Sequence, residues 1–286
     1  MIKIIADTNI WYAIAEKRIK IFALKKKFKS LCVAPLSIIE IMKGVTRTNF
    51  GLRKKVATAI IDYADDVLDE LPLHLAKLWG FPTRGYKFNW KEDLLRPFTT
   101  AIDYSALISG FPDLKSGKIK ALDMRVMNDL HETIWKQWGN SMIDWADTVC
   151  PGYKNARNNR KTKFLKKVNF NNLSKEFHKE ELKDLMTLWT VELTSCAVAR
   201  NFHVKNDYLK RNKNRIKKEI APFIDTNIEY GLSCLVDSVP EPNDYVDLMI
   251  FLYLQGKMRL MTLERKWIEI AQKKCPSFLI DYEIQP

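Results

Sequence analysis

Apolar and polar positions divide the chain into two ends that alternate between short β-branched runs and helical spacing, and a middle that does not. At the N-terminus Ile2, Ile4 and Ile5 predict a buried strand that meets Asp7-Thr8-Asn9, after which Ile10 to Glu16 resumes with helical character. A basic stretch, KRIKIFALKKKFKS, leads into a second apolar run, LCVAPL, and then into Ser37 to Gly44, read as a helix after a second strand. Leu52 to Leu71 reads as one long amphipathic helix, with Val56, Ile60, Tyr63, Val67 and Leu71 near helical spacing. At the other end, the turn Pro240 to Asp244 opens a helix, Tyr245 to Gln255, that stops at Gly256. Met258 to Leu263 is a predicted strand, Trp267 to Lys274 a helix and Phe278 to Ile284 a last strand.

From about Trp79 the pattern changes. Aromatic residues become dense, and Pro82, Pro97, Gly110, Pro112 and Gly117 punctuate short or irregular pieces before helical spacing returns at Arg125 to Trp138 and Leu182 to Phe202. The expected organisation is a discontinuous α/β domain, residues 1–78 and 223–286, with a mainly helical insertion over 79–222. Its central, mainly parallel sheet would be assembled from both termini.

Composition narrows the function classes. The 286 residues carry a formal net charge of +13, so the molecule attracts polyanions, with nucleic acid the first candidate. No apolar run is long enough to cross a bilayer, and the N-terminus, broken by Asp7, does not read as a signal peptide. Five scattered cysteines show no ligand spacing, which points to a reduced, cytoplasmic protein without a structural zinc. The four histidines form no ligand pair, and neither a Ser/His/Asp triad nor a phosphate-cradling glycine loop is present.

Acids placed just past the predicted strands are the candidate chemistry. Asp7 ends the first strand, where open α/β sheets bind ligands; alternatively Asp7-Thr8-Asn9 is only the start signal of the next helix. Glu40 follows Ser37 at capping-box spacing, and from the first helical turn it could instead face Asp7 across the same crevice. Asp244 and Asp247 are three apart, hence on one helical face, and Glu264 follows the strand that begins at Met258. Converging carboxylates repel unless cations neutralise them, and hard oxygen donors select Mg2+ or Mn2+. Such a cluster is suited to phosphodiester hydrolysis. A second Asp-Thr-Asn, Asp225 to Asn227, reads as a helix cap.

IIADTN, SIIEIMKG, NDYVDLMIFLYLQG and LMTLERKW together resemble the PIN-domain ribonucleases, which include the toxin nucleases of bacterial toxin–antitoxin pairs. The resemblance covers about the first and last fifty residues. It implies a PIN-like three-layer fold and a divalent-metal-dependent endoribonuclease leaving a 5′-phosphate and a 3′-hydroxyl. It puts Asp7, Glu40 and Asp247 in the principal metal-binding positions, Glu264 as a further metal ligand that with Asp244 places a second ion or the water, and Asn9 and Thr262 in polar roles. Glu264 stands where the family usually has Asp. An antitoxin or another protein partner is a further implication, and the oligomeric state stays open.

Two basic stretches, Lys154 to Lys167 and Lys205 to Glu219, suit phosphate contacts or a solvated face. On the first reading Arg157, Arg160, Lys161, Arg211 and Arg215 bind RNA, with Trp and Tyr side chains stacking on bases. The rival expectation is a catalytically degenerate PIN fold that binds nucleic acid or protein without cutting.

Overall fold

The computed structural model describes residues 2–28, 30–43, 45–83, 88–110, 144, 147–148, 151–158, 180–194, 203–236 and 242–280. Four strands form one sheet in the order β3-β2-β1-β4, all parallel: β1 Lys3–Ala6, β2 Leu31–Val33, β3 Asp66–Val67 and β4 Met258–Met261. Successive side chains of a strand point to opposite faces, and Ile4, Ile5 and Ala6 are each fully buried, so both faces of the sheet centre are covered. The class is α/β, as expected, with β1 and β4 bringing the two ends of the chain together.

The chain runs outward from β1 through β2 to β3 and returns to the opposite side of β1 as β4. The sheet therefore changes direction between β1 and β4, where the diverging connections leave a crevice above the strands' carboxyl ends. The β1–β4 ladder continues one residue past the strands, the Asp7 amide donating to the Met261 carbonyl at 3.0 Å. Helix α1, Thr8–Ala15, starts immediately after β1 and buries Ile10, Trp11, Ala13 and Ile14. The Trp11 indole donates to the Ala6 carbonyl at 3.0 Å, so the helix is bonded to the strand it leaves.

Helix α2 spans Ile21–Lys27, α3 Pro35–Lys43, α4 Phe50–Tyr63, α5 Leu71–Leu78, α6 Arg96–Thr100 and α7 Tyr104–Gly110. α1 packs on α3 and α4, and α6 packs on α4 through Phe98 and Phe50, whose ring centroids are 5.7 Å apart. Further along, α8 is Tyr153–Asn158, α9 Glu180–Leu193, α10 His203–Glu219, α11 Ala221–Val236, α12 Pro242–Ile250 and α13 Arg265–Lys274. α11 packs on both α12 and α13, completing the wall beside β4. Among the described residues, no helix is long and apolar enough to cross a membrane.

Five expectations need correction. The single helix over Leu52 to Leu71 is two helices separated by β3. Asp65 accepts from the Leu31 amide and the Lys25 ammonium, each at 2.8 Å, and this bonding turns the chain onto the sheet edge. The Ser37–Glu40 capping box does not form. Pro35 starts α3 two residues earlier, so Ser37 lies inside the helix and Glu40 in its second turn. Asp225-Thr226-Asn227 is interior to α11, which begins at Ala221-Pro222. The helix expected over Tyr245 to Gln255 starts at Pro242 and ends at Ile250, followed by a 3-10 turn, Phe251–Tyr253, and Gly256 at φ +56°. The last strand is reduced to a parallel bridge between Leu279 and Leu260, after a 3-10 turn over Pro276–Phe278. Residues 281–284 of that expected strand, and Arg125 to Trp138, lie outside the described residues.

Trp11 joins packing and strand anchoring in one side chain. Trp11→Ala is expected to cost about 3–5 kcal/mol by loss of buried aromatic volume. Chemical denaturation of the full chain measures this; a loss below about 1 kcal/mol would contradict the packing described.

Candidate functional site

Asp7 occupies the first position after β1 and is also the N-cap of α1, its Oδ1 accepting from the Thr8 amide at 2.7 Å. Capping and site geometry thus coincide in one residue. Its Oδ2 accepts from Asn9 Nδ2 and from Thr262 Oγ1, both at 2.7 Å. Asn9 also donates to Thr262 Oγ1 at 3.0 Å, and its Oδ1 accepts from the Leu263 amide at 2.8 Å. Asn9 and Thr262 therefore lace the end of β1 to the end of β4 and aim the Asp7 carboxylate.

Glu40 reaches the same place from α3. Its Oε2 accepts from Thr8 Oγ1 at 2.5 Å, and Arg53 of α4 donates to the Glu40 carbonyl at 2.9 Å, holding that turn of the helix. Asp244 and Asp247 come from α12, three residues apart on one face, and Glu264 is the N-cap residue of α13. The five acids, with Thr8, Asn9 and Tyr12, line one cavity of about 270 Å3 at the carboxyl edge of the sheet. One oxygen each from Asp244, Asp247 and Glu264 lies within 4.8 Å of the others.

The surroundings treat these acids unequally. Burial pushes the Asp7 carboxyl up to about 6; the Thr262 hydroxyl opposes the rise and the charge of Glu40 adds to it. Burial and the charges of Asp7, Glu40 and Glu264 push Asp247 up to about 9, against the indole of Trp267, which donates to Asp247 Oδ2 at 3.0 Å. Glu40 and Glu264 are raised as well, in both cases chiefly by burial. Asp244 has a different setting: Tyr230 of α11 donates to its Oδ2 and the Lys266 ammonium to its Oδ1. Among the described residues, no ion pair reaches Asp7, Glu40 or Asp247, while Lys266 pairs with both Asp244 and Glu264.

The donor set fits a hard divalent cation. It is all oxygen, largely desolvated and negative beyond what the chain itself neutralises. Three donors occupy three of the roughly four lone-pair positions on Asp7, leaving about one for the cavity. Among the described residues, Glu40 Oε1 and Asp247 Oδ1 receive no hydrogen bond. Glu40 and Asp247 therefore each keep one oxygen without a donor, whereas both oxygens of Asp7 and both of Asp244 have donors.

All five acids expected from the sequence meet in the cavity, with Asn9 and Thr262 beside them. The basic residues do not join them. Arg211 and Arg215 are exposed on α10 and are absent from the cavity lining; Arg215 faces Glu219 at 3.5 Å. Lys217 of the same stretch pairs with Glu180 and Asp184, and Lys213 with Asp184, so part of its charge is neutralised within the chain. Arg160 and Lys161 lie outside the described residues, and for Arg157 only the helical backbone of α8 is described. Thr8, Tyr230, Lys266 and Trp267 were not anticipated. Thr8 sits in the Asp-Thr-Asn run and Lys266 and Trp267 directly follow Glu264, but no spacing marks Tyr230.

Comparison with protein-family models, curated proteins and solved structures finds no match to this chain.

Each raised acid holds its proton more tightly in the folded chain than in the unfolded one. Raising the pH ionises the unfolded chain first, so these groups lower stability as pH rises. The interval runs from the ordinary carboxyl value of 3.8 to about 6 for Asp7 and about 9 for Asp247, beyond which the loss levels off. Asp247→Asn removes the carboxyl whose ionisation the folded cluster opposes, and its amide oxygen can still accept from Trp267. In metal-free buffer at about pH 8 it is expected to melt higher than the wild type, by about 2–4 °C per kcal/mol relieved. The gap should close below about pH 3, under the ordinary carboxyl value of 3.8, where the wild-type carboxyl is protonated in both states. A variant less stable than the wild type at the higher pH would contradict the charge clustering described.

Proposed function

We propose that the chain is a divalent-metal-dependent endoribonuclease of the PIN type. The observation that carries this reading is the convergence of Asp7, Glu40, Asp244, Asp247 and Glu264, from four separate segments, on one cavity at the sheet's directional change. A net charge of +13 supports a polyanionic substrate, and the PIN-like motifs at both ends favour RNA over DNA. The described sheet and helices are compatible with a PIN-like three-layer fold.

In this reading Asp7, Glu40 and Asp247 hold Mg2+ or Mn2+ through the oxygens turned to the cavity. When bound, the cation supplies Lewis-acid stabilisation of the phosphate and a lowered pKa for a water. The remaining work belongs to the chain. Asn9 and Thr262 fix the Asp7 carboxylate, Thr8 fixes Glu40, and Trp267 fixes Asp247, so three ligands are oriented before an ion arrives. Glu264, half-exposed at the start of α13, is placed to accept a proton from a water at the mouth of the cavity. Exposed Arg211 and Arg215 remain candidates for the RNA backbone outside the centre.

The test is cleavage of labelled single-stranded RNA, duplex RNA and single-stranded DNA in Mn2+, with a chelator control. Asp7→Asn is expected to lower RNA cleavage by roughly 100-fold or more while RNA binding persists, because it removes charge at the reacting centre and not the basic surface. Mn2+ at about 100 times its Kd should add about 2.7 kcal/mol to wild-type stability and little to the variant. Metal-dependent cutting unchanged in Asp7→Asn would sink the assignment. RNA binding with neither cutting nor metal stabilisation would leave the non-cutting alternative.

A further inference from the structure

Lys266 stands where the acidic centre is most crowded. Its ammonium bonds Asp244 and lies 3.6 Å from Glu264 Oε1, so it touches two of the three acids whose oxygens come closest together. It is also held from the apolar side, 4.5 Å from the centroid of the Trp267 ring and 5.5 Å from that of Tyr230. Both rings are bonded to the cluster themselves, Trp267 to Asp247 and Tyr230 to Asp244. The lysine is thus packed in place between two aromatic rings and two carboxylates.

Its position in the helix carries the same message. Lys266 is the second residue of α13, and the first turn of a helix presents the positive end of the dipole, which disfavours a cation. The residue is tolerated there because anions face it. Two-metal phosphodiester centres place their ions about 3.5–4 Å apart. Here, on one side of the cluster and among the described residues, Glu40 and Asp247 each have an oxygen without a donor, and no ion pair reaches them or Asp7. The other side, Asp244 and Glu264, already faces a positive charge from the chain.

We propose that the Lys266 ammonium takes the second cation position of this centre, so that the site accepts a single divalent ion held by Asp7, Glu40 and Asp247. This rests on the metal-dependent reading above. Lys266 is then a positioning and specificity residue: its one positive charge offsets part of the negative charge of Asp244 and Glu264, limits the ion count, and leaves Glu264 beside a fixed charge. The Glu264 side chain reaches back to this ammonium, two residues along the chain.

Ion stoichiometry tests this without reference to activity. Mn2+ would be titrated into the full chain and free Mn2+ followed by electron paramagnetic resonance, for the wild type, Lys266→Met and Lys266→Arg. The expected result is one tightly held ion per chain in the wild type and in Lys266→Arg, and a second in Lys266→Met, which keeps the stem's bulk and removes the charge. Two ions in the wild type, or one in a folded Lys266→Met, overturns the role of Lys266 and leaves the metal reading standing. No ion in the wild type overturns the metal reading and this inference with it. Should Lys266→Met fail to fold, Lys266→Gln takes its place in the titration, and one ion in folded Lys266→Gln overturns the role of Lys266.

Discussion

The pairing of β1 with β4 is the constraint on which the rest depends. It sets Lys3 to Ala6 against Met258 to Met261 and makes one edge out of the two ends of the chain. Hydrogen bonds past the strand ends continue the pairing into side chains, from Thr262 to Asp7 and from the Leu263 amide to Asn9. Because the outward-running β1–β2–β3 half and the returning β4 diverge at this edge, α1 and α13 leave it in a way that keeps their first residues around a shared crevice. Every candidate functional acid is set by that geometry. Loss of the β1–β4 ladder would separate Asp7 from Asp247 and Glu264 before it altered any one of them.

The same geometry forces negative charge into a poorly solvated place. Buried hydrogen bonds orient Asp7, Glu40 and Asp247 without neutralising them, and the raised affinities for protons at Asp7 and Asp247 are the energetic record of that. A protein that needed these acids only as helix caps would have no reason to bring them from four segments to one cavity. Asp244 and Glu264 follow a different solution, with part of the charge balanced inside the chain by Lys266 and the aromatic rings of Tyr230 and Trp267 packed around it.

Much of this was legible in the order of residues, for reasons that differ by element. β1 and β4 showed because central parallel strands are apolar on both faces and end abruptly at polar residues. Asp7, Asp247 and Glu264 showed because each sits one short step past such a strand or on the helix beside it. β3 did not, since two residues cannot display a period and Val67 and Leu71 extend the apolar spacing of α4. Glu40 was legible as a residue and not as geometry: the capping-box spacing with Ser37 is coincidental once Pro35 begins the helix. Asp225 reads as a cap because Asp-Thr-Asn favours helix starts, yet Pro222, second in α11, marks the start that forms. Lys266 was invisible as a participant, since its meaning comes from Tyr230 and Asp244, which only tertiary packing brings to it.

The proposed function requires a divalent cation in the cavity lined by Asp7, Glu40 and Asp247. Anomalous scattering from a crystal of the wild-type chain equilibrated with Mn2+ tests it most directly, because it locates the ion as well as detecting it. A peak in contact with the Asp7, Glu40 and Asp247 carboxylates is the expected result. At saturating Mn2+, a map empty at that cavity, or with its peak on other residues, would contradict the claim.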